Sequence, residues 1–253
     1  MAVLRHLAPQ SSRVPTSLLV ALALAAPALV LGAFALGAGP LPSDAALTSL
    51  AVKPGGSYSS VAWFFNDFVR YEAIPILWGT TIIGLAAKRR GTLALLFVLL
   101  IAVGPLNMLL KDLYDRPRPL DGLGILGYPE SASFPSGHTM TAAGFFGLWF
   151  VVAPQLFGTK AGRTIQIAAV LAIVLAGYSR VWALAHWPTD VAAGAGFGLA
   201  IVAALWAARP LVAECLVRAA AAIEALAWYL ATGLLHQHGI DHPAPIVVFS
   251  RHL

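Results

Sequence analysis

The sequence predicts an all-α fold, a polytopic membrane bundle of about six transmembrane helices. Three observations carry that expectation. Hydrophobic residues make up 59% of the 253 and charged residues 11%, where a soluble domain carries roughly 25% charged residues. The mean hydropathy is +0.79, so a water-soluble globule would have too little polar surface to cover itself. The apolar residues also collect in runs close to the ~20 that a helix needs to cross a bilayer. The single cysteine, Cys215, allows no intrachain disulfide and says nothing about compartment. A net charge of +5 suits many anionic partners; its placement points to a membrane and not to a nucleic acid.

Taken in order, the first span runs from Thr16 to about Gly39 and is free of charge, with Arg5 and Arg13 before it. It is longer than the ~7–15 apolar residues of a secretory signal core, so it is expected to be retained as a span. The second covers about Arg70 to Ala87 and is stopped by Lys88-Arg89-Arg90. The third, about Thr92 to Leu110, runs directly into Lys111. The fourth, fifth and sixth cover about His138 to Phe157, Thr164 to Val181 and Pro188 to Ala208. Residues 1–210 thus form the membrane domain, and 211–253 a C-terminal helix and tail. Glu214 and Arg218 stand four apart and can pair on a helix there, and Glu224 interrupts the remaining apolar run. A cytoplasmic or interfacial helix is therefore favoured over a seventh span. His236, His238, His242 and His252 lie in an irregular terminus, and a solvated tail is preferred to a metal site.

Basic residues set the orientation. With the N-terminus cytoplasmic, Arg5, Arg13, Lys88, Arg89, Arg90, Lys160, Arg163, Arg209 and Arg218 lie inside. Lys53, Arg70, Lys111, Arg116, Arg118 and Arg180 lie outside. Between the first two spans an outer segment carries Tyr58, Trp63, Phe64, Phe65, Phe68 and Tyr71, residues that favour the headgroup level. It reads either as a helix guiding a lipid or as an anchoring aromatic belt.

Three polar clusters break the apolar chain, and ionisable groups at bilayer depth cost about 2.5–3.5 kcal/mol each, which makes them functional suspects. In the first, Lys111 is followed by Arg118 between Pro117 and Pro119. The prolines hold Arg118 extended, and a guanidinium fork beside an ammonium suits phosphate oxygens. The second is Pro135-Ser136-Gly137-His138 at the start of the fourth span. Ser136 is a good N-cap, Gly137 permits close backbone approach, and the helix start attracts an anion. His138 would stand beside that anion with a reference pKa near ~6.5. In the third cluster, Ser179-Arg180 precedes His186 and Asp190, which stand four apart across Pro188. The carboxylate is positioned to orient the imidazole for attack, and Arg180 to clamp the same group, since fixed cations supply much of phosphoryl-transfer catalysis.

Together these clusters resemble the type-2 phosphatidic acid phosphatase family, whose relatives include soluble bacterial acid phosphatases and vanadium haloperoxidases. Its signature is Lys, six residues, Arg-Pro; then Pro-Ser-Gly-His; then Ser-Arg, five residues, His, three residues, Asp. Lys111 to Pro119, Pro135 to His138 and Ser179 to Asp190 match it at every specified position. The resemblance implies that His186 attacks phosphorus, steadied by Asp190, and that His138 protonates the leaving oxygen. Lys111, Arg118, Ser136, Gly137 and Arg180 would hold the phosphoryl oxygens, with no metal and no other cofactor.

The expected substrate is a lipid phosphate or diphosphate, such as polyprenyl diphosphate, phosphatidylglycerophosphate or phosphatidic acid. The site is expected on the periplasmic or extracellular face of a bacterial inner membrane. A phosphotransferase using the same phosphohistidine is the main alternative. An anion transporter fits less well, because it would place charges along a path rather than at span ends. A metal held by His138, His186 and Asp190 is opposed by the three neighbouring cations. The sequence leaves the oligomeric state open.

Overall fold

The computed structural model describes residues 16–36, 39–51, 74–119 and 132–237. The aromatic stretch from Tyr58 to Tyr71 lies outside the described residues, as do the side chains of His236, His238, His242 and His252. The described chain is all helical, with α1 (Thr16–Ala35), α2 (Pro42–Ala51), α3 (Ile74–Ala87) and α4 (Gly91–Leu99). A 3-10 turn at Leu100–Ala102 leads into α5 (Val103–Tyr114), followed by α6 (Gly137–Trp182) and α7 (Pro188–Gln237).

Thr16–Ala35, Gly91–Tyr114, Gly137–Trp182 and Pro188–Leu230 are long and apolar enough to cross a membrane. The chain is therefore a membrane-spanning helical bundle with 4 candidate spans among the described residues. At 14 residues, α3 is a shorter apolar helix.

Helix α6 is a hairpin. Gly158 breaks it with φ 75° and ψ 176°, a conformation that only glycine adopts readily. Gln166 Nε2 donates to Phe150 O at 3.0 Å, a Cβ on Gly162 would lie 2.5 Å from Pro154 Cα, and Gly177 stands beside Thr139. Each of these pairs is symmetric about residue 158, so the arms run antiparallel. The sequence separates the same two helices by a loop from 158 to 163; the structure does it with one glycine.

Helix α7 packs against α1 and α6 through small residues, which let backbones approach within a membrane. A Cβ on Gly194 would lie 2.5 Å from Ser136 O, and one on Gly198 2.5 Å from Met140 O. Gly196 faces α1, where its Cβ would meet Leu24 O at 3.1 Å. Because a backbone carbonyl cannot move aside, Gly194→Ala is expected to push α6 from α7. The predicted cost is about 1–3 kcal/mol of overpacking, read as a lower unfolding temperature in detergent.

The helix of the sixth span does not end near Ala208. Helix α7 continues across Pro210 to Gln237, 50 residues in all, so the expected boundary at residue 210 falls inside it. At ~1.5 Å per residue it is far longer than a ~30 Å hydrocarbon layer. The expected Glu214–Arg218 pair is present at 2.5 Å on its exposed surface.

An aromatic core of Trp78, Phe97, Phe145 and Trp149 joins α3, α4 and the first arm of α6. Trp78 Nε1 also donates to Phe97 O at 2.8 Å. The end of α5, both ends of the α6 hairpin and the start of α7 then lie at one end of the bundle. At the other end Lys88, Arg89, Arg90 and Arg209 line a single cleft.

Candidate active site

The first cluster is shaped where α5 stops. Asp115 takes the left-handed conformation (φ 40°, ψ 45°) and its N–H closes on Lys111 O at 2.9 Å, a helix end that Asp tolerates better than most residues. The chain then turns back over the bundle end. Lys111 Nζ donates to Ala132 O, and Arg118 Nη1 donates to Ala185 O at 2.8 Å. Trp187 Nε1 donates to Pro117 O at 2.9 Å. These bonds draw the first cluster onto the loop that carries His186.

That loop is built by the end of α6. The carbonyl of Arg180 accepts from Ala185 N at 3.0 Å and from His186 N at 3.3 Å, with Leu184 at φ 52° in the turn. Arg180 and His186 are 1% and 2% exposed. Burial, then the charges of Lys111, Arg180 and Arg118, hold the His186 imidazole well below its ordinary pKa of 6.5. The direction follows because both a dry site and nearby cations disfavour imidazolium. The ring is therefore neutral at pH 7, and three expected phosphate ligands gather close enough to act on it.

Asp190 sits in the first turn of α7 and reaches back to Trp187 N at 2.8 Å through Oδ2, the N3-to-N-cap half of a capping box. The sequence leads one to expect a direct bond from His186 to Asp190. The structure inserts a hydroxyl: Nδ1 is 3.7 Å from Oδ2, whereas Ser133 Oγ lies 3.4 Å from Nδ1 and donates to Oδ2 at 2.5 Å. A proton on Nδ1 directed at Ser133 leaves the lone pair on Nε2.

The second cluster docks on the same carboxylate residue. Ser136 caps α6, and its N–H donates to Asp190 O at 3.0 Å. Its hydroxyl accepts from Thr139 Oγ1 at 3.1 Å, so the side chain bonds into the first turn of α6. Gly137 is required by a close approach, since a Cβ there would lie 2.6 Å from Asn107 Oδ1, while Asn107 Nδ2 donates to Pro135 O at 3.2 Å. His138 follows in the same first turn, half-buried. The structure thus brings Lys111, Arg118, Arg180, His186, Asp190 and Ser136 together through direct contacts or charge, and carries Gly137 and His138 alongside on the turn that Ser136 opens.

Sequence reasoning misses the support of Asp190. Arg116, expected among the outer-face charges, is fully buried. Its Nη1 donates to Asp190 Oδ1 at 2.5 Å and Thr189 Oγ1 at 2.8 Å, and its Nη2 to Asp44 Oδ2 at 2.6 Å and Gly39 O at 3.0 Å. Asp44, also at zero exposure, accepts from Thr189 N at 3.0 Å and Thr189 Oγ1 at 2.9 Å. The one signal that could have found Asp44 is that acids are rare in so apolar a chain. Nothing in the sequence distinguishes Ser133 or Thr189 from ordinary loop and cap residues.

The PAP2 superfamily matches residues 91–212, which include all three clusters. Among curated relatives, phosphatidylglycerophosphatase B of Bacillus subtilis (strain 168) is 38% identical over 96 residues, 37% of this chain and 46% of that protein. A lipid A 1-phosphatase of Rhizobium etli is 32% identical over 113 residues, covering 42% and 45%. The bacitracin transport permease protein BcrC of Bacillus licheniformis is 28% identical over 159 residues, covering 60% and 72%. The chain thus spans less than half the length of the first two. A crystal structure described as the first transmembrane PAP2 type phosphatidylglycerolphosphate phosphatase, from Bacillus subtilis, superposes with a TM-score of 0.57 at 26% identity. That match covers 73% of this chain and 93% of the other. With the three clusters gathered at one end of a membrane bundle of the same fold, residues 91–212 match the PAP2 superfamily, and the chain is similar to its integral-membrane branch.

Proposed function

We propose that this chain is an inner-membrane phosphatase that removes a terminal phosphate from a lipid phosphate or diphosphate without a metal. The observation that carries the reading is the meeting of Lys111, Arg118 and Arg180 around a neutral, buried His186. A tetrahedral anion placed there would have its oxygens held by cations and by the start of α6.

In this reading Nε2 of His186 attacks phosphorus and the bond to the leaving oxygen breaks, with His138 delivering the proton to that oxygen. Water then attacks the phosphohistidine, His138 takes its proton, and inorganic phosphate leaves with His186 neutral again. Asp190 steadies the ring through Ser133 while positive charge develops on it. Lys111, Arg118, Arg180, Ser136 and Gly137 line the phosphoryl site.

The two arms of the α6 hairpin, with α1, α3, the α4–α5 unit and α7, supply the six crossings. With Lys88, Arg89, Arg90 and Arg209 round the far cleft, the positive-inside rule puts the site on the periplasmic face. Residues 211–253 then form a cytoplasmic or interfacial extension. Relatives named for phosphatidylglycerophosphate and lipid A phosphates support lipid-linked substrates, and polyprenyl diphosphate and phosphatidic acid share the same chemistry. The reading of charges along a transport path is disfavoured, because the cations gather at one end.

The test is phosphate release by the purified protein from these lipids, with a soluble phosphate ester as control and with excess chelator. The expected result is release from at least one lipid faster than from the ester, unaffected by chelation. Preference for the ester over every lipid would count against the lipid assignment. Transfer of the phosphoryl group to an added alcohol acceptor, in place of release, would identify a phosphotransferase.

A further inference from the structure

Asp44 and Arg116 are fully buried charges that the reaction scheme leaves unused. Burying them is expensive, since each desolvated ion costs several kcal/mol. The arrangement around them is built in detail. Leu41 precedes α2, Pro42 occupies its first position, and Asp44 reaches back to Leu41 N at 2.9 Å, so the cap of α2 orients the carboxylate. Arg116 then extends one guanidinium nitrogen to Asp44 and the other to Asp190. Thr189, the neighbour of Asp190, donates to both oxygens of Asp44 through its backbone and hydroxyl.

We infer that Asp44 is a positioning residue for the reaction, acting through Arg116 and Thr189 to fix the Asp190 carboxylate and with it the His186 ring. This rests on the phosphatase reading above. Asp44 lies outside residues 91–212, on a helix that follows the first span, so a segment beyond the matched region braces the reacting centre. The physical reason is the plane of Asp190. Arg116 holds Oδ1, while Ser133 and Trp187 N hold Oδ2. Without Asp44 the far side of the guanidinium would keep only the neutral Gly39 carbonyl, a weaker hold against a pivot toward a bidentate grip on Asp190, which would draw Oδ2 from Ser133. Asp44 occupies the other half of the fork.

Asp44→Asn removes the charge, and Asp44→Glu keeps it while shifting the carboxylate by one methylene. Both are expected to lower kcat on a lipid phosphate by about 10- to 100-fold, the cost of a small misplacement at a reacting group. KM should change little, because Asp44 touches no substrate. In an Asp190→Asn background the further loss from Asp44→Asn should vanish, since the two act as one unit. Asp44→Glu retains the ion pair and guards against a folding defect, checked by an unfolding temperature near wild type.

A readout without substrate separates this inference from the phosphatase reading: carbethoxylation of His186 by diethyl pyrocarbonate, located by mass spectrometry. It should slow in Asp44→Asn, while labelling of the C-terminal histidines stays constant. Wild-type kcat in both variants, an equal loss in both backgrounds, or unchanged labelling of His186 would overturn the assignment. A wild-type protein that releases no lipid phosphate would instead remove the phosphatase reading, leaving the coupling to be judged by the labelling.

Discussion

His186→Ala is expected to reduce phosphate release from the preferred lipid by on the order of 10^4-fold or more, the scale seen when a nucleophile is removed from a unit that acts together. The loss should come in kcat, since Lys111, Arg118 and Arg180 remain to bind the phosphate. The substitution should also leave the protein folded. Truncating a buried polar residue is usually costly because its partner is stranded, but here the Asp190 carboxylate keeps Arg116, Ser133 and Trp187 N as donors. The variant therefore removes the proposed nucleophile without removing a structural tie. Phosphate release in detergent, measured beside an unfolding temperature, checks both halves of the expectation.

Arg116→Ala should do the reverse. Without the guanidinium, Asp44 and Asp190 remain at zero exposure, two carboxylates facing each other with no cation between them. Removing one partner of a buried ion pair costs about 3–5 kcal/mol, and the penalty here falls on two anions. The expected outcome is a sharp fall in folded yield and unfolding temperature, with activity lost as a consequence. Arg116→Lys should recover little of this, because an ammonium cannot fork between two carboxylates. A double variant, Arg116→Met with Asp44→Leu, removes one anion along with the cation. It should restore much of the stability and leave kcat low. Thermal unfolding of the purified variants separates these results.

The bundle was legible because apolar runs of span length have few alternatives. The starts of α1 at Thr16 and of α7 at Pro188 fall where the sequence puts them. The break at Gly158 also falls at the expected end of the fourth span, although one glycine replaces the expected loop. The end of α7 was not legible. The sixth span is expected to end at about Ala208, yet α7 runs on through Pro210, as membrane helices permit when neighbours satisfy the freed carbonyl.

The three clusters were legible because ionisable residues are conspicuous in an apolar chain. Their supports were not. Arg116 stands two residues before Arg118 and carries the same charge, so sequence alone leaves both on the outer face. Its partner Asp44 lies 72 residues away, and only the folded chain joins them. Ser133 was hidden in a run of small residues, although its hydroxyl stands between the imidazole and the carboxylate.

The proposed mechanism requires one imidazole, held among three cations at the end of a membrane bundle, to form the covalent bond to phosphorus. Quenching the wild-type protein in alkali during turnover of a radiolabelled lipid phosphate, and locating the label by peptide mass spectrometry, would reveal that bond. Label on the peptide containing His186, base-stable, acid-labile and missing from His186→Ala, is the predicted result. Label on His138 or on any other side chain, or steady turnover by His186→Ala, would contradict it.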